Sequence, residues 1–389
     1  MHDGYAPYPG KWGANAQLAL DTIAMKPTKG IPHWAFNIMD WDMLELLAGA
    51  NPGDYEREPE KVYLTACLNT GATFCDQWIP RNPLTMRKHG YESSTDKGAT
   101  TGIEQVVVDG RIIDSPEAVA EHLEQVELPK LAKQIAETDV DSQAAIDALI
   151  AKEVEVQNIF GANLLKGPYA NGFQSFPAFR YYKYGYENYF MAYALFPELM
   201  AKDFARQADL AVKRNLLAAK AIVQGRLPRL IRLDHDMADS RGTLVDIRSL
   251  DEIWFPQFAR SIQPFLDAGI RLIWHCDGNL MQMVPRLLEV GLGGFQGFQY
   301  EDGMDYERIC RMTDRDGNPL FIVAGCSVTR TLPHGTVEDV RRELKWVVDN
   351  GPRVGLLLGA TSSVAPNTKR ENVLAFIEGL NHYQKHGRG

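Results

Sequence analysis

The sequence predicts an α/β fold: a (β/α)8 TIM-type barrel with an elaborated N-terminal region and a helical insert. Two observations carry this expectation. In the C-terminal half, short apolar runs alternate with stretches of helical periodicity, which implies a parallel sheet with right-handed crossovers. An open doubly wound sheet fits the same alternation, but it usually carries a Gly-rich phosphate loop after its first strand. No G-x-G-x-x-G or Walker sequence is present, so the closed barrel is favoured. The chain has 389 residues, 45% of them hydrophobic, enough for a full core. No repeat or low-complexity linker divides it. Residues 1–389 are read as one barrel domain, with 1–60 as an N-terminal extension and 114–160 as the helical insert.

The elements follow in chain order. Val62–Leu68 is a strand-like run leading into Thr73-Phe74-Cys75-Asp76. Val106–Ile113, with Asp109-Gly110 at its centre, reads as a β-hairpin. Ser115 and Pro116 supply an N-cap and a first-turn proline for a charged helical stretch that continues to about Glu155. Strands are expected at Leu227–Leu233, Leu272–Trp274, Gly294–Tyr300, Phe321–Ala324 and Val354–Leu358. Ser249 with Glu252 reads as a capping box ahead of Ile253, Phe258 and Ile262. Thr336 with Asp339 opens a second helix, whose apolar positions Val337, Val340, Leu344, Val347 and Val348 follow the helical period until Gly351 ends it.

Charge and cysteine usage narrow the partners. A formal charge of −9 leaves no basic footprint for nucleic acid. No apolar stretch approaches the roughly 20 residues that span a bilayer. Met1–Gln17 lacks a signal-peptide layout. Five cysteines, odd in number and unpatterned, fit a reducing cytoplasm.

Chemistry is expected where strands end. Arg271–Asn279 reads R-L-I-W-H-C-D-G-N, bringing His275, Cys276 and Asp277 together at the carboxyl end of an apolar run. Ligands bind at such ends in β/α proteins. A capped strand end with a satisfied histidine is the plain alternative. Asp234-His235-Asp236 repeats the placement after the preceding run, as Tyr300-Glu301-Asp302-Gly303 and Gly325-Cys326-Ser327 do after later ones. Adjacent strand ends would let His275, Asp277, Glu301 and Cys326 converge, and all are acceptable zinc ligands. Cys326 also fits a small buried hydrophobe. Phe173–Tyr193 is dense in aromatics, with Phe176, Phe179, Tyr181, Tyr182 and Tyr186 among them. They are expected, with Trp34, Phe36 and Trp78, to wall a flat, partly apolar ligand.

The ordered series W-H-C-D-G-N, Q-Y-E-D-G-M-D, A-G-C-S-V-T-R-T-L-P-H-G-T-V-E-D-V and L-L-G-A-T-S-S-V-A-P-N-T-K-R-E-N resembles the C-terminal half of the uroporphyrinogen decarboxylase superfamily, from about Asp234 to Leu380. Thr73-Phe74-Cys75-Asp76 is similar to the segment that holds a catalytic aspartate there. The resemblance implies a distorted (β/α)8 barrel with a cleft at the strand carboxyl ends. The decarboxylases carry an Arg-rich motif near the N-terminus, where this chain has P-H-W-A-F-N-I-M-D-W-D without arginine. The zinc-dependent, thiol-methylating branch carries His-x-Cys and a further Cys. Here His275 matches, Asp277 stands at the first Cys position and Ala360 near the second.

The His-x-Asp-Gly-Asn version looks more like members that demethylate substrates onto a corrinoid (cobalamin) protein. The resemblance thus implies a cytoplasmic corrinoid-dependent methyltransferase acting on a small methylated substrate, expected to be a methoxylated aromatic. Its partner would be the corrinoid protein, with zinc as an optional cofactor and a homodimer left open. His275 with Asp277, or Glu301, would protonate the leaving oxygen, or a metal on them would polarise it. Asp234 and Asp236 would fix a phenolic hydroxyl, and His235 and Asn279 would complete the substrate contacts. A decarboxylase of a small acid, using Asp76, Asp234 and His275, is the alternative; a non-catalytic ligand-binding barrel is a third.

Overall fold

The structure, a computed structural model, describes residues 11–81, 106–169 and 172–388. The first ten residues of the expected N-terminal extension lie outside it. The strands, in chain order, are β1 Phe74–Cys75, β2 Val106–Val108, β3 Arg111–Ile113, β4 Leu165–Lys166, β5 Leu230–Asp234, β6 Ala238–Asp239, β7 Gly242–Thr243, β8 Arg271–His275, β9 Gly294–Gln296, β10 Phe321–Ala324 and β11 Leu356–Leu358. A five-stranded sheet runs β11-β10-β9-β8-β5, parallel throughout. β1 pairs in parallel with β4. Residues 33 and 34 join the two sheets, His33 bridging Leu358 and Trp34 bridging Phe74, both in parallel. The result is a run of eight parallel segments from β4 to β5. Among the described residues no ladder joins those two ends; the Gln174 side-chain amide instead donates to the Arg232 carbonyl at 2.5 Å.

Strand alternation sorts the side chains into two cores. Trp34, Phe74, Leu165, Leu230, Ile273 and Leu357, from six of the parallel segments, meet in one buried cluster. Their neighbours Ile231, Leu233, Leu272 and Trp274 face the other way, into the larger core shared with the helices. The helix Ala14–Ile23 adds Ala16, Ala19 and Ile23 to the inner cluster. It crosses the amino ends of the strands. Gly13 donates its N–H to the Ala162 carbonyl just before β4, and Met25 lies against Gly355 just before β11.

Several local expectations hold. Asp109 and Gly110 both take positive φ, 50° and 77°, as the tight β2–β3 hairpin requires. Ser115 caps the helix Pro116–His122 through Ala118 N–H. The insert continues as a π-helical turn, Leu123–Glu127, and helices Leu128–Glu137 and Gln143–Phe160. Thr336 and Asp339 form the reciprocal capping box of Val337–Asn350.

Others are corrected. Val62–Leu68 belongs to the helix Pro59–Asn69, where Val62, Tyr63, Ala66 and Cys67 are buried at helical spacing and Pro59 opens the first turn. Ser249 does not cap. The helical segment begins at Ile247 under Asp246, whose side chain accepts Arg248 N–H, while the Ser249 hydroxyl bonds Tyr193. The Gly294–Tyr300 run stops pairing at Gln296, because Gly297 turns to φ 80° and Tyr300–Asp302 forms a 3-10 turn. Among the described residues, no helix is long and apolar enough to cross a membrane.

Candidate functional site

The same alternation that fills the inner cluster builds a polar floor above it. Leu230 and Ile273 point inward, so Arg232 and Asp234 on β5 and His275 on β8 point inward too. Asp234 and His275 are register partners. The segments that follow these two strands carry Asp236 and Asp277. Gly297 gives His275 its room: at φ 80° it adopts a conformation that suits glycine, and a Cβ there would lie 2.5 Å from His275 Nδ1. Arg232, Asp234, Asp236, His275 and Asp277 open onto a cavity of about 880 Å³ at the carboxyl ends of the strands, lined also by Trp34, Phe36, Tyr63, Gln299 and Ser362.

Arg232 organises the floor. Its Nε donates to Asp76 Oδ2 at 2.9 Å and its Nη1 to Asp234 Oδ2 at 2.7 Å. Its guanidinium lies over the rings of Tyr169 and Trp34, 4.5 and 5.3 Å from their centroids. The Tyr169 hydroxyl donates to Asp234 Oδ2 at 2.9 Å. Burial alone would raise Asp234, but His275 and Arg232 outweigh it and hold the carboxyl below its ordinary range. Asp234 is therefore a fixed anion and acceptor.

The remaining three groups differ. Burial, then the neighbouring Asp277 carboxylate, pushes Asp236 up to about 6. Burial would lower His275, but the carboxylates of Asp234 and Asp277 outweigh it and raise its pKa. His275 Nδ1 faces the Gln296 carbonyl at 3.3 Å, and Nε2 stands 3.9 Å from Asp277 Oδ1. One ligand atom from each of Asp236, His275 and Asp277 lies within 4.8 Å of the others. Asp277 Oδ1 is buried without a hydrogen-bond partner. An imidazole and two carboxylates, one of them with an orphaned buried oxygen, fit a divalent metal. A second cluster, Asp109, His122 and Glu127, fits one poorly. Arg180 and Lys183 already bond Glu127, and Lys183 stands 3.7 Å from Asp109.

Trp34, Phe36, Asp234, Asp236, His275 and Asp277 line the cavity, and Asp76 lies behind it through Arg232. The other expected residues lie elsewhere. Glu301 accepts hydrogen bonds from the Ser327 and Thr329 hydroxyls. Cys326 sits in the apolar core with Sγ 3.5 Å from the Val340 carbonyl. Asn279 caps its own turn, accepting Met281 N–H. Trp78 packs between Tyr63 and Phe160. Phe176 packs on Trp274, and Phe179 is wholly buried. Tyr181 stacks on His235, Tyr186 packs tilted against Tyr181, and Tyr182 is 59% exposed. The aromatic density of Phe173–Tyr193 thus serves packing around His235. Burial pushes that histidine down to about 4, and its Nε2 accepts Phe179 N–H at 2.9 Å.

Arg232, Tyr169, Tyr63, Gln77, Gln296 and Ser362 were not anticipated. For Arg232 a signal existed: one cation inside the run L-I-R-L-D, where burial demands paired anions.

No family model matches this chain, and no curated protein matches it. Among solved structures, a methyltransferase from Methanosarcina mazei is similar to it, with a TM-score of 0.55 and 14% identity over 96% of this chain and 99% of that one. At that identity the likeness is one of fold.

Proposed function

We propose that this chain is a methyltransferase of the uroporphyrinogen decarboxylase superfamily, built on a (β/α)8 barrel. It would move a methyl group from a small methoxylated aromatic to the corrinoid of a partner protein. The observation that carries the reading is the juxtaposition of Asp236, His275 and Asp277 on the floor of a wide cavity, beside the anchored Asp234. The family-like strand ends and the methyltransferase fold of the Methanosarcina mazei protein support it.

In demethylation of an aryl ether the methyl–oxygen bond breaks and its electron pair leaves with oxygen. That oxygen departs badly unless it gains a proton or a Lewis acid. The corrinoid, when bound, supplies a cobalt(I) nucleophile that takes the methyl group. This chain's part is to place positive charge beside the departing oxygen, and Asp236, His275 and Asp277 gather such charge as a proton or a metal ion. Asp234, kept ionised by His275 and Arg232, accepts a hydrogen bond from a ring hydroxyl. Trp34, Phe36 and Tyr63 offer faces and edges to the ring.

Mixing the protein with cob(I)alamin and a panel of oxygen-, nitrogen- and sulfur-methyl donors tests the reading by the absorbance of methylcobalamin. Methoxyphenols should yield it. No product from any donor overturns the proposal, and carbon dioxide released from a small acid without cobalamin replaces it with the decarboxylase.

A further inference from the structure

We infer that Asp236, His275 and Asp277 form a divalent-metal centre of one imidazole and two carboxylates, with no thiolate ligand. Each group is already held by a second interaction of the kind that orients metal ligands. His275 directs Nδ1 to the Gln296 carbonyl, which as an Nδ1–H donor bond leaves the Nε2 lone pair facing the cluster. Asp277 accepts the Ser362 hydroxyl through Oδ2 at 3.2 Å, leaving Oδ1 buried and unpartnered. Asp236 accepts Asp277 N–H through Oδ1 at 2.9 Å. His275 is 8% exposed and the three groups front the cavity, so an ion there keeps positions open toward a ligand.

The thiols are turned away. Cys276 follows His275 directly but faces the opposite side of its strand. Its Sγ accepts Met237 N–H at 3.3 Å and donates to the Asp277 carbonyl at 2.9 Å. Cys326 lies in the apolar core, and Glu301 is engaged by two hydroxyls. The third ligand is therefore Asp236, from the segment after β5. Oxygen and imidazole donors make a harder site than one built on cysteines. Resting on the methyl-transfer reading, this implies that the open positions take an ether or phenol oxygen, for which the metal supplies a Lewis acid.

The test uses the full chain, stripped with chelator and titrated calorimetrically with ZnCl2 and separately MnCl2. About one ion per chain is expected. Asp236→Asn and Asp277→Asn should each weaken binding by at least about tenfold, the loss that outer-shell changes alone produce, and Ser362→Ala by about tenfold. Glu301→Gln and Cys326→Ser should bind as the unaltered protein does. No binding by the unaltered protein, or undiminished binding by a folded Asp236→Asn variant, overturns the assignment. Cobalt substitution of the unaltered protein needs no variant: a near-ultraviolet thiolate-to-cobalt charge-transfer band overturns it, and a cobalt spectrum without that band supports it. Methylcobalamin formation in excess chelator separates the two proposals, since methyl transfer that persists there removes the metal's role and leaves the methyltransferase reading standing.

Discussion

The backbone N–H of Asp277 donates to Oδ1 of Asp236 at 2.9 Å, so the segment after one strand holds a carboxylate delivered by the neighbouring strand. Two acidic side chains are thereby fixed beside each other, and the burial that accompanies this pushes Asp236 up to about 6. In metal-free protein the consequence is a pH-dependent stability. The folded-state pKa lies above the ordinary carboxyl value of 3.8. The native state then binds the proton more tightly, and stability falls as pH rises from about 4 to about 6 and stays lower above that. Asp236→Asn should therefore stabilise the chelator-treated protein by ~1–2 kcal/mol at pH 8, less than the full shift implies because the group is only partly buried. Near pH 3.5 it should gain almost nothing. Urea denaturation at the two pH values decides, and an equal gain at both contradicts the account.

His275 and His235 separate the floor of the cavity from its packing. His275→Ala should reduce methylcobalamin formation by about a hundredfold or more while leaving the fold intact. His235→Phe removes the acceptor of Phe179 N–H and should cost about 1–3 kcal/mol of stability. Its turnover should stay within a few-fold of the unaltered protein. Loss of turnover in a folded His235→Phe variant would bring the Phe173–Tyr193 cluster into the site.

Arg232 is the keystone of the floor. Arg232→Met leaves Asp76 and Asp234 buried without their cation, at a cost of about 3–5 kcal/mol. Adding Asp76→Asn should recover part of that loss. Denaturant midpoints measure both, and a loss below ~1 kcal/mol for the single change would show that the pair is solvated.

The charge of the cavity sets the order of substrates. Asp234, Asp236 and Asp277 line it, and Arg232 is committed to Asp76 and Asp234. A methoxyphenol without a carboxylate should therefore be turned over at least about tenfold more efficiently than the matching methoxybenzoate. Initial rates of methylcobalamin formation measure this, and a preference for the benzoate contradicts it.

Much of this was legible in the sequence, for identifiable reasons. Each apolar run of the C-terminal half is a strand because its residues are buried on both faces, which removes alternation and leaves only length and flanking turns as signals. Asp234, Asp236, His275 and Asp277 could be read because polar groups at the end of such a run have little reason to be there except a site. Arg232 was overlooked because it lies inside the run, where alternation points it inward with the two strand-end groups. The Val62–Leu68 segment misled because seven mostly apolar residues fit a strand as well as a helix, and Pro59 with the burial of Ala66 and Cys67 decides for the helix. Cys326 follows its strand closely, as expected, and Glu301 lies in the 3-10 turn beyond β9, but the apolar core claims the one and hydroxyls the other. Composition flagged the aromatics of Phe173–Tyr193, yet nothing in composition distinguishes rings that face a ligand from rings that face one another.

The helix Ala14–Ile23 stoppers the amino ends of the strands, leaving the opposite rim as the doorway. A macromolecule that settles on that rim becomes a lid over whatever has already entered. If the chain passes a methyl group to a partner protein as proposed, traffic is compulsory in sequence: the small donor would enter before the partner arrives, and its demethylated remnant would wait until the partner departs. Loading the partner first should lock the donor out, which makes the order of arrival a property of how one end of the strands is plugged.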